Sequence, residues 1–288
     1  MDKAELFNRQ MWEVFGERGR LAEPLLWLAS IAVGIVFCKS VYDNMESSFS
    51  QIKVYRALAR RQQIEWSNRG FSTAHAIVVS TIAAYLLVYS DFFSDAAPYG
   101  PVVFRSTIFS QAVLGFSIGY FIADLSMIIW CYPDLGGWVY ILHHGLSIAS
   151  LALALHSGYA HIYLYLVLFS EFTTPFVNLR WYLSTAGQSG SNAYLLNGIL
   201  LFLTWLIFRV LLFVYFFTHI YLHFDQVSVL VIVVLLVILT GETNARCWIL
   251  FLVYRAASAG VDEPGMVSKD FTGCCQGFQE ETKVNMIV

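Results

Sequence analysis

Seven stretches of this 288-residue chain are long and apolar enough to cross a lipid bilayer, and that limits the fold more than any other feature. A helix rises ~1.5 Å per residue, so roughly 20 apolar residues cover a hydrocarbon layer ~30 Å thick. The runs lie at about 24–42, 71–90, 105–131, 138–156, 160–182, 193–221 and 227–253. Inside lipid, a run must satisfy its backbone N–H and C=O groups internally, which selects the helix. The expected fold class is all-α, a polytopic membrane helix bundle of about seven transmembrane helices.

Apolar residues make up 58% of the chain and charged residues 13%, about half the usual charged share, so lipid rather than water is the main solvent. A net charge of −3 without a clustered basic face argues against a nucleic-acid partner. Cys38, Cys131, Cys247, Cys274 and Cys275 show neither paired spacing nor a C-x-x-C pattern, so no disulfide framework and no metal site is expected from them. The adjacent pair Cys274 and Cys275 is a candidate for S-acylation if its tail is cytosolic. The first 23 residues are mostly polar and precede no cleavage signal, so they are expected to stay attached.

Three regions follow. Residues 1–60 hold an N-terminal tail, the first span and a basic connector; 61–255 form the main transmembrane domain; 256–288 form a polar tail expected to lack fixed structure. In the connection 47–69, Phe49, Ile52, Leu58 and Trp66 alternate with Lys53, Arg56, Arg60, Arg61 and Arg69. That pattern suits a basic amphipathic helix on an anionic leaflet, or a solvated connector carrying positive-inside charge. The side reached after the first helix collects these cations together with Arg180 and Arg255, while the opposite side holds Lys3, Arg9, Arg18 and Arg20 among acids, and then Arg105. The bias predicts a lumenal N-terminus and a cytosolic C-terminus.

An ionisable group in hydrocarbon costs a few kcal/mol, so such groups face the bundle interior and mark a site or a structural pair. His75, Asp124, His143, His144, Glu171, Arg209 and Glu242 fall in or near the spans. Counted from the predicted ends, His75, His143 and His144 lie roughly 6–9 Å in, Asp124 about 12 Å and Glu171 about 16 Å, all from one surface. One shared polar pocket is therefore possible. His143, Ser147, Ser150 and Ala154 follow one helical face. Glu171, Thr174 and Asn178 follow another, and Pro175 is expected to kink that helix.

The His143–His144 pair can supply a general base and a donor, with Asp124 orienting a ring, or the rings can simply bond between helices. Arg209 needs a carboxylate or a lipid phosphate. Glu242, Asn244 and Arg246 either line the cavity or pair along their own helix. His219 and His223 have the i, i+4 spacing of metal ligands, but lack the intervening Glu of H-E-x-x-H and stand beside Tyr215 and Tyr221. An aromatic interfacial belt is the expected reading, and no metal or other cofactor is expected.

The segments Gly119-Tyr120-Phe121-Ile122-Ala123-Asp124, Tyr132-Pro133-Asp134-Leu135-Gly136-Gly137 and Leu142-His143-His144-Gly145-Leu146-Ser147 together resemble the TLC-domain proteins, the superfamily of TRAM, the Lag-type ceramide synthases and a ceroid-lipofuscinosis protein. The run from Ser170 to Trp181 and Ser72-Thr73-Ala74-His75-Ala76 are similar to its small TLC-domain-containing branch, plant members included. The resemblance covers about residues 60–255. It implies that six of the helices form the TLC-type bundle, an endoplasmic-reticulum location, and a role in lipid homeostasis. It also carries His143 and His144 onto the active-site pair of the ceramide synthases. Their H-D-x-S-D segment is replaced by Ser170-Glu171-Phe172-Thr173-Thr174, which speaks against full synthase activity.

The expectation is a protein that binds or senses a membrane lipid in a helical cavity and influences membrane lipid composition. His75, Tyr120, Ser147, Thr174, Asn178 and Arg209 are the candidate lipid-binding residues. One alternative is an acyl-CoA-dependent N-acyltransferase using His143 and His144 as base and Asp124 or Glu171 as orienter. The other is a non-catalytic membrane cargo or escort protein with protein partners of unknown identity.

Overall fold

A computed structural model describes residues 19–97 and 100–224. Within them the chain forms α1 (Gly19–Phe49), α2 (Lys53–Ala57), α3 (Arg60–Ala84), α4 (Ile108–Trp130), α5 (Trp138–Ser157), α6 (His161–Ser170), α7 (Thr174–Thr185), α8 (Asn192–Trp205) and α9 (Leu212–Leu222). A π-helical turn, Tyr85–Tyr89, extends α3, and another, Leu206–Leu211, joins α8 to α9. These make six helices long and apolar enough to cross a membrane, from Glu23–Phe49 to Asn192–Leu222, with no strand among the described residues. The all-α polytopic bundle is therefore as expected. The run 227–253, with Glu242, Asn244 and Arg246, and the cysteines Cys247, Cys274 and Cys275 lie outside the described residues.

Local chemistry sets the helix ends. Thr107 caps α4, accepting from the Ser110 N–H while the Ser110 hydroxyl accepts from the Thr107 N–H. Gly158 closes α5 at φ 70°, a left-handed conformation that glycine adopts without strain. Where Pro175 was expected to kink its span, a proline ring clashes with the carbonyl four residues back, here Glu171, and the 3-10 turn Glu171–Thr173 separates α6 from α7 within the one span His161–Thr185.

Short connections make successive spans antiparallel. One end of the bundle, here the basic end, carries Lys53, Arg56, Arg60 and Arg61 and the α4–α5 and α7–α8 turns. Centrally, α3 packs against α1, α4, α6 and α7, while α4 also packs on α1 and α5. The α1–α4 crossing is close because Ser30 and Gly34 face Gly115 and Gly119; a Cβ on Gly119 would lie 2.9 Å from the Gly34 Cα. Small residues four apart permit this approach of two backbones, which supplies van der Waals contact where lipid provides no hydrophobic drive. Trp27 Nε1 donates across the same interface to Gln111 Oε1 at 2.9 Å.

The basic stretch 47–69 is shared among three elements. It supplies the end of α1, the five-residue α2 and the first turns of α3, which begins at Arg60 and not near residue 71. Its aromatic residues turn inward: Trp66 lies 5.3 Å from Phe49, 6.0 Å from Tyr55 and 4.5 Å from Tyr182. Tyr182 also donates to the Trp66 carbonyl at 2.7 Å, fixing α7 against α3. Outward faces remain apolar and exposed, as on Leu195, Phe202 and Val214, which suits a lipid surround.

Candidate functional site

Four helix positions place polar side chains at one level of the bundle. Asn68 is eight residues into α3, Asp124 six before the end of α4, His144 six into α5 and Asn178 seven before the end of α7. At ~1.5 Å per residue, all stand roughly 9–12 Å from the basic end.

The carboxylate of Asp124 is the hub. Its Oδ1 accepts from Asn68 Nδ2 at 2.7 Å, and its Oδ2 accepts from His144 Nε2 at 2.8 Å. The Tyr120 hydroxyl stands 3.3 Å from that same Oδ2 and 3.3 Å from Ser72 Oγ. Asp124, Tyr120 and His144 are all buried. His144 Nδ1 faces the Tyr140 carbonyl at 2.8 Å, so both ring nitrogens of His144 meet acceptors. A doubly protonated ring donates to both at once, and in that state His144 and Asp124 form an ion pair.

His75 enters the same cluster by stacking. Its ring lies 3.8 Å from that of Tyr120 with planes inclined 10°. Ser117 donates its own proton to the Val113 carbonyl and so accepts from His75 Nε2 at 3.3 Å. The tautomer is thereby fixed, and His75 Nδ1, fully buried, meets no hydrogen-bond partner among the described residues.

Beside this cluster, Asn178 ties α7 to α3. Its Oδ1 accepts from Arg69 Nη1 at 2.9 Å, while its Nδ2 donates to Thr73 Oγ1 at 2.9 Å. Arg69 also donates to Glu65 and lies over the Trp181 ring at 4.7 Å, a cation–π contact. Because Asn68, Arg69, Ser72 and Thr73 occupy adjoining faces of α3, the two groups form a polar belt around that helix.

A further group gathers at the α6–α7 break. Thr174 donates to Glu171 Oε2 at 2.6 Å, and Arg209, within the π turn, donates to Thr173 Oγ1 at 3.3 Å. Two irregular backbone segments thus face each other, a feature common at functional sites.

Of the residues singled out from sequence, Asp124, His144, Tyr120 and His75 are brought together, with Asn178 alongside. The His143 ring is edge-on to His144, with centroids 5.5 Å apart. Ser147 is buried, but its hydroxyl donates to the His143 carbonyl of its own helix. Glu171, Thr174 and Arg209 belong to the break. Asn68 and Arg69 were missed because the span was expected to start near residue 71; Ser72 and Thr73 fell inside it and stood out only in the family resemblance. The spacing of Asn68, Ser72 and His75 at i, i+4 and i+7 is the signal that places them on one face.

At the far end of the bundle, His219 is buried at 4% exposure, whereas Tyr215 and Tyr221 are exposed at 51% and 77%. The aromatic-belt reading therefore fits the tyrosines but not His219, which turns inward to the Tyr163 hydroxyl at 3.2 Å.

A family model for the TLC domain matches residues 65–255. TLC domain-containing protein 4-B of Xenopus laevis is 31% identical over 157 residues, covering 54% of this chain and 58% of that protein. The human TLC domain-containing protein 4 is 29% identical over the same length, covering 54% and 58%. A Dictyostelium discoideum protein named TLC domain-containing protein 4 A is 23% identical over 179 residues, covering 61% of each. The chain thus spans less than two thirds of these curated relatives. No solved structure matches. The matched region contains α4, α5, α6, α7 and the Asp124–His144 pair, and the chain belongs to the TLC-domain family.

Proposed function

We propose that this protein binds a membrane lipid at the polar belt around α3 and through it influences the lipid composition of the endoplasmic reticulum, with its C-terminus in the cytosol. The observation carrying the reading is the buried Asp124–His144 ion pair with its added donors Asn68 and Tyr120, four polar groups from three helices inside an apolar span. A buried charge pair is a poor source of stability, because desolvation offsets most of its attraction. Its presence within hydrocarbon depth points to a recognition role. His75 Nδ1, which meets no partner among the described residues, would accept from a headgroup donor, while the exposed aliphatic faces accommodate acyl chains.

The acyltransferase alternative is less well supported by this geometry. A general base needs a free lone pair, and both nitrogens of His144 face acceptors. In that reading the base would be His143, with acyl-CoA as donor. The cargo or escort alternative rests on family likeness alone.

The deciding experiment is mass spectrometry of lipids retained by the detergent-purified chain, compared between wild type and the isosteric Asp124→Asn. A lipid class enriched in the wild type over bulk membrane and lost from a folded Asp124→Asn supports the proposal. Identical lipid profiles for the two proteins would sink it. Amide formation from acyl-CoA and an amine, abolished by His143→Ala, would instead establish the acyltransferase.

A further inference from the structure

Opposite the basic end, a loop and the end of α9 bring together a second set of chemistry-bearing side chains, unrelated to the lipid site. Asp95, His219 and His223 each bring one ligand-type atom into a single cluster, all within 4.8 Å of one another. Asp95 Oδ1 lies 3.3 Å from His223 Nε2, and Asp95 Oδ2 lies 3.7 Å from His219 Nε2. Around a tetrahedral Zn2+ with bonds of ~2.1 Å, ligand atoms stand roughly 3.4 Å apart, close to the two Asp95 spacings.

Hydrogen bonds on the far side of each ring add an independent argument. His223 Nδ1 faces the His219 carbonyl at 3.0 Å, an acceptor, so Nδ1 carries a proton, and in the neutral ring Nε2 holds the lone pair that a cation would take. His219 Nδ1 is held at 3.2 Å by the Tyr163 hydroxyl, which can accept from it. Its Nε2 is buried and meets no hydrogen-bond partner among the described residues. The two rings stack at 4.2 Å with planes inclined 16°, so one ring tilts for both in-plane lone pairs to reach the same ion. With both rings neutral, two imidazole lone pairs and a carboxylate crowd one another, and a cation between them relieves the crowding; a proton on either Nε2 does so as a carboxylate–imidazolium pair. Metal-bound histidines are oriented in this way, with the second ring nitrogen committed to a carbonyl or hydroxyl.

The loop bearing Asp95 is also held in place. Arg105, buried, donates to the carbonyls of Phe92 at 2.8 Å, Ser94 at 2.8 Å, Ala97 at 3.1 Å and Gly100 at 2.6 Å. That clamp fixes the carboxylate over the end of α9. The Asp95 side chain is 57% exposed, so water can complete the coordination.

We propose that Asp95, His219 and His223 form a binding site for a divalent first-row transition ion of the zinc type, at the end of the bundle opposite the basic surface. Two imidazole nitrogens and one carboxylate are a borderline ligand set that favours zinc-like ions over magnesium or calcium, which take oxygen ligands. The ion ties the 91–105 loop to α9. This site would supersede the expectation of no metal, which rested on the missing H-E-x-x-H pattern. The third ligand comes from a loop more than a hundred residues earlier in the chain.

The test uses the full chain in detergent, stripped with chelator, reloaded with Zn2+ and passed through a desalting column before elemental analysis. Retention of about one Zn2+ per chain is expected, with Co2+ giving the visible bands of a tetrahedral site. His223→Gln and Asp95→Asn should each lower Zn2+ affinity by at least about tenfold, and Tyr163→Phe by about tenfold through loss of ring orientation. Asp95 is an exposed loop residue, so Asp95→Asn keeps the test valid if a histidine variant fails to fold. Absence of retained zinc in wild type, or equal retention by wild type and Asp95→Asn, would overturn the proposal. So would a cluster that behaves only as a carboxylate–imidazolium pair, binding neither Zn2+ nor Co2+.

Discussion

Two carboxylate–histidine clusters stand at opposite ends of the same bundle, and they balance charge in different ways. At Asp124 the carboxylate is buried and every neighbour donates: Asn68, Tyr120 and His144 all direct protons at it. At Asp95 the carboxylate is largely exposed, and the imidazole Nε2 atoms face it while the other nitrogen of each ring meets a carbonyl or hydroxyl. The first cluster is complete as a set of side chains, whereas the second closes only when a cation or a proton is added. Burial explains the contrast. A carboxylate inside the bundle must find its donors within the protein, while one at the aqueous boundary can share an ion with water.

The largest expected effect tests the completeness of the first cluster. Asp124→Ala leaves a charged His144 and the Asn68 and Tyr120 donors without their acceptor, and should destabilise the fold by about 3–5 kcal/mol. Thermal unfolding in detergent would read this as a large fall in Tm. Asp95→Ala in metal-free buffer should cost less than about 1 kcal/mol, because an exposed carboxylate beside imidazoles contributes little whether or not the rings are protonated. If the two substitutions cost the same, the contrast between the clusters fails. Next, Zn2+ at a hundred times its Kd should stabilise the wild type by about 2.7 kcal/mol. The same shift should persist in Asp124→Asn and disappear in His223→Gln, which would show that the clusters act independently.

Smaller effects sharpen the picture within the belt. Asn68→Ala removes the single donor to Asp124 Oδ1 described here, and should destabilise by about 1–3 kcal/mol. Ser147→Ala should change stability by less than about 1 kcal/mol, since its hydroxyl satisfies a carbonyl of its own helix and joins no neighbour. A cost for Ser147→Ala comparable to Asn68→Ala would mean that the small-residue face of α5 takes part in the site.

Asp124 and His144 were legible because a charged or imidazole side chain inside an apolar run is anomalous on its own. Pro175 was legible because its ring forbids the helical bond to Glu171, and the break follows. Asn68 and Arg69 were not, since the polar first turns of α3 read like the connector before them, and Ser72 and Thr73 were not, since small hydroxyl residues are ordinary within an apolar span. Asp95 gave no signal at all: an aspartate among turn residues is ordinary, and only the Arg105 clamp brings it over α9. The Gly34–Gly119 approach was equally hidden, because glycines four apart occur for many reasons.

By itself the sequence determined the solvent, the helical class and the family, since the length and apolarity of a span are fixed by the bilayer and are local properties of the chain. The tertiary structure alone decided which polar side chain faces which. A helix residue's partner depends on how its span is rotated and on which neighbours crowd against it, and both are settled by packing among several spans at once.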